Sequence, residues 1–428
     1  MATRYAIAIL LAAGLGPGLS AQGLVPLTLD QAEQQALTNH PQIRAAQYSA
    51  QAAGEGVKEL RSSYYPTAVV SVTGTEAQSG SRIAAGGLNN PIILDRLAGG
   101  IAVGQLVTDF GRTSALVQSG LLRADARREA VSVRQADVLL QVDRAYFNAL
   151  RAQAVAKVAD ETVAARQAVA DQVSAQAASG LKSALDLSFA QVNLSEAQIL
   201  VVQARNDLQA AFASLSAAIG SAAAATYELS EQPMPSEPSE DDATLVSRGL
   251  RDRPDLAAER LAQRAASVFA EAEGAAWRPS VSMVGVFGAA PYHQLGLNGQ
   301  YSALGVNVSV PLSNGGLLSA RRAEASLTAS AEQQRVRDLE NTVSRDVRTA
   351  LLDVHAAFRR LELAQQLQSH AADAADLAQA RFENGLGSIV ELTQAQLNKT
   401  RADIEAATAR YDCQIRNAVL KFQTGESK

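Results

Sequence analysis

The chain has 428 residues, a formal net charge of −5, 47% hydrophobic but only 4% aromatic residues, and one cysteine, Cys413. The mildly acidic balance excludes the basic footprint of a nucleic-acid-binding protein, and a single thiol excludes a disulfide framework or an N-terminal lipid-bearing cysteine. So few aromatics beside recurrent Ala, Gln, Arg and Ser suit long helices in thin layers better than three ordinary domains.

Arg4, the apolar run Tyr5 to Ala13 and small residues up to Ser20 and Ala21 predict a cleaved signal peptide over residues 1–21. No later run reaches 18 apolar residues, so any passage through a membrane has to be made by strands. Thr28 and Gln31 stand as a capping box, and Pro41 suits the first position of a helix running to about Tyr64. Period-two segments follow at Thr67 to Thr75 and Ile101 to Val107, separated by a loop over Gln78 to Gly100. From Arg112 to Ser179 the chain has one Gly and no Pro, which predicts a helix ~100 Å long. Gly180 ends it as a left-handed cap, and Leu181 to Ile219 returns as a second helix.

The plan then repeats. His40-Pro41 and Tyr65-Pro66 recur 213 positions on as Arg253-Pro254 and Arg278-Pro279, while GLKSALDL from Gly180 recurs 205 positions on as GLGSIVEL from Gly385. The organisation expected is a first repeat over 22–220, an irregular linker over 221–244 holding Pro233, Pro235 and Pro238, and a second repeat over 245–428. In the second copy, Val281, Met283, Gly285 and Phe287 alternate with Ser282, Val284 and Val286, and Leu304 to Val310 alternate with Gly305, Asn307 and Ser309. The loop between them is expected over Gly288 to Tyr301. Val336, Leu339, Val343, Val347, Leu351, Val354, Phe358 and Leu361 keep coiled-coil spacing along a helix from Leu317 to Asn384, and Leu386 to Thr424 returns. Four strands cannot close a barrel, and an open edge cannot sit in lipid, so several protomers have to share one.

The histidines, His40, His293, His355 and His370, have no spacing that pairs two on one helix face, and no metal-site, nucleophile or phosphate-loop pattern occurs. No cofactor and no enzymatic activity are therefore expected. Cys413 reads as a small buried helix residue. Asp186 and Glu391 hold equivalent places, six residues past each turn glycine. They either form carboxylate rings near a narrow tube end or favour the positive end of a helix dipole, worth ~0.3–1 kcal/mol each.

With both copies in view, the chain resembles the TolC family of outer-membrane efflux proteins over essentially its whole length. The resemblance implies a mostly α fold with β: a helical coiled-coil tunnel through the periplasm plus four transmembrane strands per protomer. It further implies a homotrimer sharing a twelve-strand barrel, set in outer-membrane lipid of a Gram-negative bacterium. The implied function is a passive channel of a tripartite efflux or type I secretion system, docking a periplasmic adaptor and an inner-membrane pump of the RND or ABC type. Gly180, Leu181, Ser183, Gly385, Leu386 and Ser388 match the family's adaptor-docking tip, and Asp186 and Glu391 match acidic positions of its constriction. Phe382 stands where some members carry a Tyr in the closing network, and Gly387 where they carry an Arg. A periplasmic adaptor is the alternative, since it too has long helical hairpins, but the amphipathic strand pairs argue against it.

Overall fold

The computed structural model of the chain describes residues 25–76, 78, 95–221, 225–293 and 298–426. The expected signal segment lies outside them. The first copy runs β1 (Val25–Leu27), α1 (Leu29–Asn39), α2 (Pro41–Ser62), β2 (Thr67–Thr75), β3 (Arg96–Thr108), α3 (Arg112–Ala178) and α4 (Ala184–Ala218). After β4 (Tyr227–Leu229) the second runs α5 (Asp242–Asp252), α6 (Pro254–Ala275), β5 (Ser280–His293), β6 (Gln300–Ser309), α7 (Leu317–Glu383) and α8 (Ile389–Thr424). Equivalent helices match in length: 11 residues in α1 and α5, 22 in α2 and α6, 67 in α3 and α7.

Local chemistry explains the starts and stops. Thr28 and Gln31 cap α1 reciprocally, at 3.2 Å from Gln31 N to Thr28 Oγ1 and 3.0 Å from Thr28 N to Gln31 Oε1. Pro254 opens α6 where its missing N–H costs nothing. Several expected bounds move. The second helix stops at Ser62 rather than Tyr64, and the return helices begin at Ala184 and Ile389 because Leu181 to Ser183 and Leu386 to Ser388 form the turns. The expected loops are shorter, since β3 begins at Arg96 and β5 continues to His293. Residues 79–94 and 294–297 of those loops lie outside the described residues.

The chain forms two compact units, each drawing on both copies. The first comprises residues up to His40 with 141–237 and 356–418. Its helices pack through small side chains, as in the clusters Ala156, Ala159 and Ala204, and Ala357, Leu361, Ala364, Ala406, Ala409 and Cys413. It also contains a parallel pair, β1 with β4, and β4 lies inside what the sequence reads as an irregular linker. Tyr146, fully buried, holds that pair: its Oη lies 3.0 Å from Leu27 O and 2.7 Å from Ser230 O and donates to these carbonyls. The linker is shorter than expected, because α5 begins at Asp242.

The second unit comprises 41–140, 238–355 and 419–428. It carries an antiparallel sheet of order β2-β3-β5-β6. Register decides its faces. The rows Val70↔Ile101↔Phe287 and Val103↔Gly285↔Leu304, with Met283↔Val306, put large apolar side chains on one face. Ser71↔Gly100↔Gly288 and Thr67↔Gly104↔Val284↔Gly305 lie on the other, where small and polar residues are interspersed with Val69, Val284 and Val286. The outer edges of β2 and β6 have no strand partner among the described residues. Below the sheet, Val343, Val347 and Val354 of the coiled-coil pattern are fully buried.

Candidate functional site

The paired turns that join α3 to α4 and α7 to α8 both lie in the first unit. Each long helix ends in a left-handed glycine, Gly180 at φ +77° and Gly385 at φ +72°. Leu181 N donates to Gln176 O at 2.9 Å and Gly180 N to Ala177 O at 3.0 Å; Leu386 N donates to Arg381 O at 2.8 Å and Gly385 N to Phe382 O at 3.1 Å. These bonds satisfy the last carbonyls of each helix and reverse the chain within three residues. The reversal leaves Leu181 and Leu386 exposed at 77% and 72%, with Leu185 and Val390 exposed one turn further on.

Ser183 and Ser388 start the return helices. In the first turn Asp186 closes a capping box: Asp186 N donates to Ser183 Oγ at 3.1 Å, and Asp186 Oδ2 accepts from Ser183 N at 3.1 Å and Ser183 Oγ at 2.8 Å. Hydrogen bonds from the Ser183 hydroxyl and backbone N–H hold the Asp186 carboxyl below the usual carboxylate range. The second turn differs. Glu391 N still donates to Ser388 Oγ at 3.1 Å, but Glu391 Oε1 accepts from Arg381 Nε at 3.0 Å. Arg381 also donates to Leu386 O at 3.2 Å, so one guanidinium clamps the second turn.

Phe382 is 3% exposed, packed in a cluster with Val169, Val173, Ala190, Ile389 and Leu392, and the Lys182 ammonium of the first turn lies 4.7 Å from its ring centroid. That contact couples the two turns by a cation–π interaction. Arg381 and Lys182 escape the sequence reading because the two copies differ there: Gln176 and Gly387 occupy the equivalent places.

A polar layer follows on the same helices. Arg166, 5% exposed, donates from Nη1 to Asn193 Oδ1 at 3.1 Å, Asn193 Nδ2 donates to Thr393 Oγ1 at 3.0 Å, and Thr162 and Thr400 hydroxyls lie 3.2 Å apart. Burial lowers the pKa of the Arg166 guanidinium from its ordinary value. Thr162, Arg166 and Thr400 border a cavity of about 440 Å³. The sequence does carry a signal for them: Ala159, Thr162, Arg166, Val169 and Val173 keep one 3,4-spaced stripe, and two of the five are polar. Among the described residues no group of three or more His, Cys, Asp or Glu could hold a metal ion, and no helix is long and apolar enough to cross a membrane.

Comparison with known proteins fits this arrangement. The family described as "Outer membrane efflux protein" matches residues 32–221 and 245–426. Outer membrane protein OprJ of Pseudomonas aeruginosa is 26% identical over 381 residues, covering 84% of this chain and 76% of that protein. Outer membrane protein TolC of Escherichia coli is 24% identical over 430 residues, covering 95% and 85%. The crystal structure of the Campylobacter jejuni CmeC outer membrane channel superposes with a TM-score of 0.82 at 16% identity, covering 93% of this chain and 86% of that one. These similarities favour the channel over the periplasmic adaptor. With its family match spanning nearly all of both copies, the chain belongs to the outer membrane efflux protein family, whose members are channel-type transport proteins of the outer membrane.

Proposed function

We propose that this chain is a passive, non-enzymatic duct: a homotrimer whose protomers each give four strands to one twelve-strand barrel, with a helical tunnel in the periplasm. The observation that carries the reading is the four-stranded sheet with one large apolar face and two edges that have no strand partner among the described residues. Edges of that kind are not tolerated in lipid, so closure needs further copies. Because β2, β3, β5 and β6 alternate in direction, β6 of one copy meets β2 of the next antiparallel. In this reading residues 22–220 and 245–428 are the two repeats, joined by 221–244.

The turns at Gly180 and Gly385 are the tip that docks a periplasmic adaptor, which links the duct to an inner-membrane pump of the RND or ABC type. Support comes from Leu181 and Leu386, large apolar side chains held exposed to solvent beside the glycine caps. Asp186, Glu391 and Phe382 stand in the constriction, where three copies of each acid approach an axis. Light scattering should give a trimer in detergent, and planar bilayers should record conductance. Asp186→Asn with Glu391→Gln should alter cation preference without lowering trimer yield. A monomer would overturn the duct, and wild-type selectivity in the double variant would overturn the gate alone.

A further inference from the structure

The face of the sheet opposite the large apolar one carries a glycine trough near its loop end. Ser71, Gly100, Gly288 and Tyr301 form one row across all four strands. Its two central places are closed to any side chain. A β carbon on Gly100 would stand 2.8 Å from Phe287 O and 2.4 Å from Tyr301 Oη, and one on Gly288 would stand 2.5 Å from Gly99 O and 2.5 Å from Tyr301 Oη. Glycine at both positions lets the Tyr301 side chain run back from β6 across β5 and β3, with its phenol tip over the pair. The ring lies against the wall of the sheet without being buried, since Tyr301 is 42% exposed.

Tyr301 lines a cavity of about 730 Å³ that spans the four strands, from Ser71 and Thr73 on β2 to Ser302 on β6. Arg96, the first residue of β3, lines it too, and it is the only charged residue to do so among the described residues. The pairs Thr75↔Arg96 and Ser71↔Gly100 lie an even number of residues apart, so Arg96 shares the face of the trough. The cavity thus offers one exposed guanidinium, one aromatic ring and a set of hydroxyls, with no carboxylate. A guanidinium gives paired N–H donors to the oxygens of a carboxylate, sulfonate or phosphate, and the ring gives a surface for offset stacking. A cation would find no counter-charge there, and an alkyl chain would leave Arg96 and the hydroxyls without partners.

We propose that this cavity is a weak binding station for organic anions that carry an aromatic ring. Arg96 takes the acid group, Tyr301 stacks on the ring, and the Ser71 and Thr73 hydroxyls donate to the remaining oxygens. The inference rests on the duct reading and deepens it by naming a class of cargo. In the proposed trimer three such stations surround the bore at the strand ends furthest from the helices, where cargo leaves the barrel. Solvent exposure keeps the binding weak, as conduction requires, because an ion held too tightly does not move on.

The full-length protein is placed in planar bilayers in potassium chloride, with naphthalenesulfonate as the aromatic probe and butanesulfonate as its aliphatic counterpart. The parent should conduct, and naphthalenesulfonate should reduce its conductance at lower concentration than butanesulfonate does. Arg96→Gln should raise the half-blocking concentration of both sulfonates about tenfold, the loss expected from one charge-assisted hydrogen bond. It should also shift the reversal potential in a salt gradient towards cations, whereas Arg96→Lys, which keeps the charge, should hold the parental value. Tyr301→Leu should abolish the preference for naphthalenesulfonate and leave the reversal potential unchanged. Equal block of the parent by the two sulfonates, or block by naphthalenesulfonate that is the same in Arg96→Gln, overturns the proposal. A parent that does not conduct overturns the duct and the station with it, whereas a conducting parent that neither sulfonate blocks overturns the station alone.

Discussion

Gly220 closes against His40: a β carbon on Gly220, at φ +81°, would stand 3.0 Å from the His40 α carbon. The second copy repeats the relationship, with Gly425 at φ +80° and its would-be β carbon 2.8 Å from the Asp252 carbonyl carbon and 3.0 Å from Arg253 N. In each copy the last helix thus ends on the X-Pro corner that opens the second helix. Gly180 and Gly385 share the left-handed conformation but meet nothing within 4 Å. Alanine at Gly180 or Gly385 should therefore cost only the left-handed penalty, ~1–2 kcal/mol. Alanine at Gly220 or Gly425 adds a backbone collision and should cost more. Thermal melting of the four single variants checks the ranking, and equal losses would contradict it.

Within the sheet, Leu304 stands mid-strand on the apolar face and Val308 next to the helix-side end. Leu304→Arg should cost about 2–4 kcal/mol if that face meets lipid near mid-bilayer, and Val308→Arg less. Asn307→Arg, on the opposite face, should be mildest. Folded trimer yields after reconstitution give the order, and a milder effect at Leu304 than at Asn307 would reverse the assignment of faces.

The Asp186 carboxyl is held below its ordinary pKa, so its contribution is fully present above the unfolded-state value of about 3.8 and is lost as pH falls through the lower folded-state value. Amide exchange over Ser183 to Leu187 should be slower in the wild type than in Asp186→Asn at pH 7. The two should converge in acid once the pH lies below the folded-state pKa, where the carboxyl is protonated in both states. A difference that persists in acid would assign the protection to something other than the capping carboxylate.

Arg381 and Glu391 are about half exposed, and a pair so placed contributes roughly 0–1 kcal/mol. Arg381→Gln should therefore barely change the melting temperature, yet it removes the clamp on the second turn and, in the proposed trimer, three positive charges from the tip. Higher single-channel conductance with near-parental melting is the expected outcome. Unchanged conductance would place the pair away from the constriction.

Cys413 is fully buried in a cluster with Ala357, Leu361, Ala364, Ala406 and Ala409. Burial, with Asp412 and Glu237 adding, pushes its thiol up to about 11. Iodoacetamide at pH 8 should leave the native protein unlabelled and modify it on denaturation, because the thiolate is the nucleophile. Rapid native labelling would show that α8 opens locally.

Much of this molecule is determined by sequence, because its devices are local. Capping at Thr28, prolines at Pro41 and Pro254, glycines at Gly180 and Gly385, and 68 residues without a breaker in Leu317 to Asn384 act within a few turns of chain, so the repeated helices and strands are legible without contacts. Only the tertiary structure decides the rest. The β1–β4 pair under Tyr146 joins segments about 200 residues apart, and three residues of alternation are too few to announce a strand. Equal spacing also makes Asp186 and Glu391 look alike. Whether such an acid caps its own helix or pairs with a guanidinium depends on which side chain stands across the turn: Arg381 is there for Glu391, and Gln176 holds the equivalent place in the first copy.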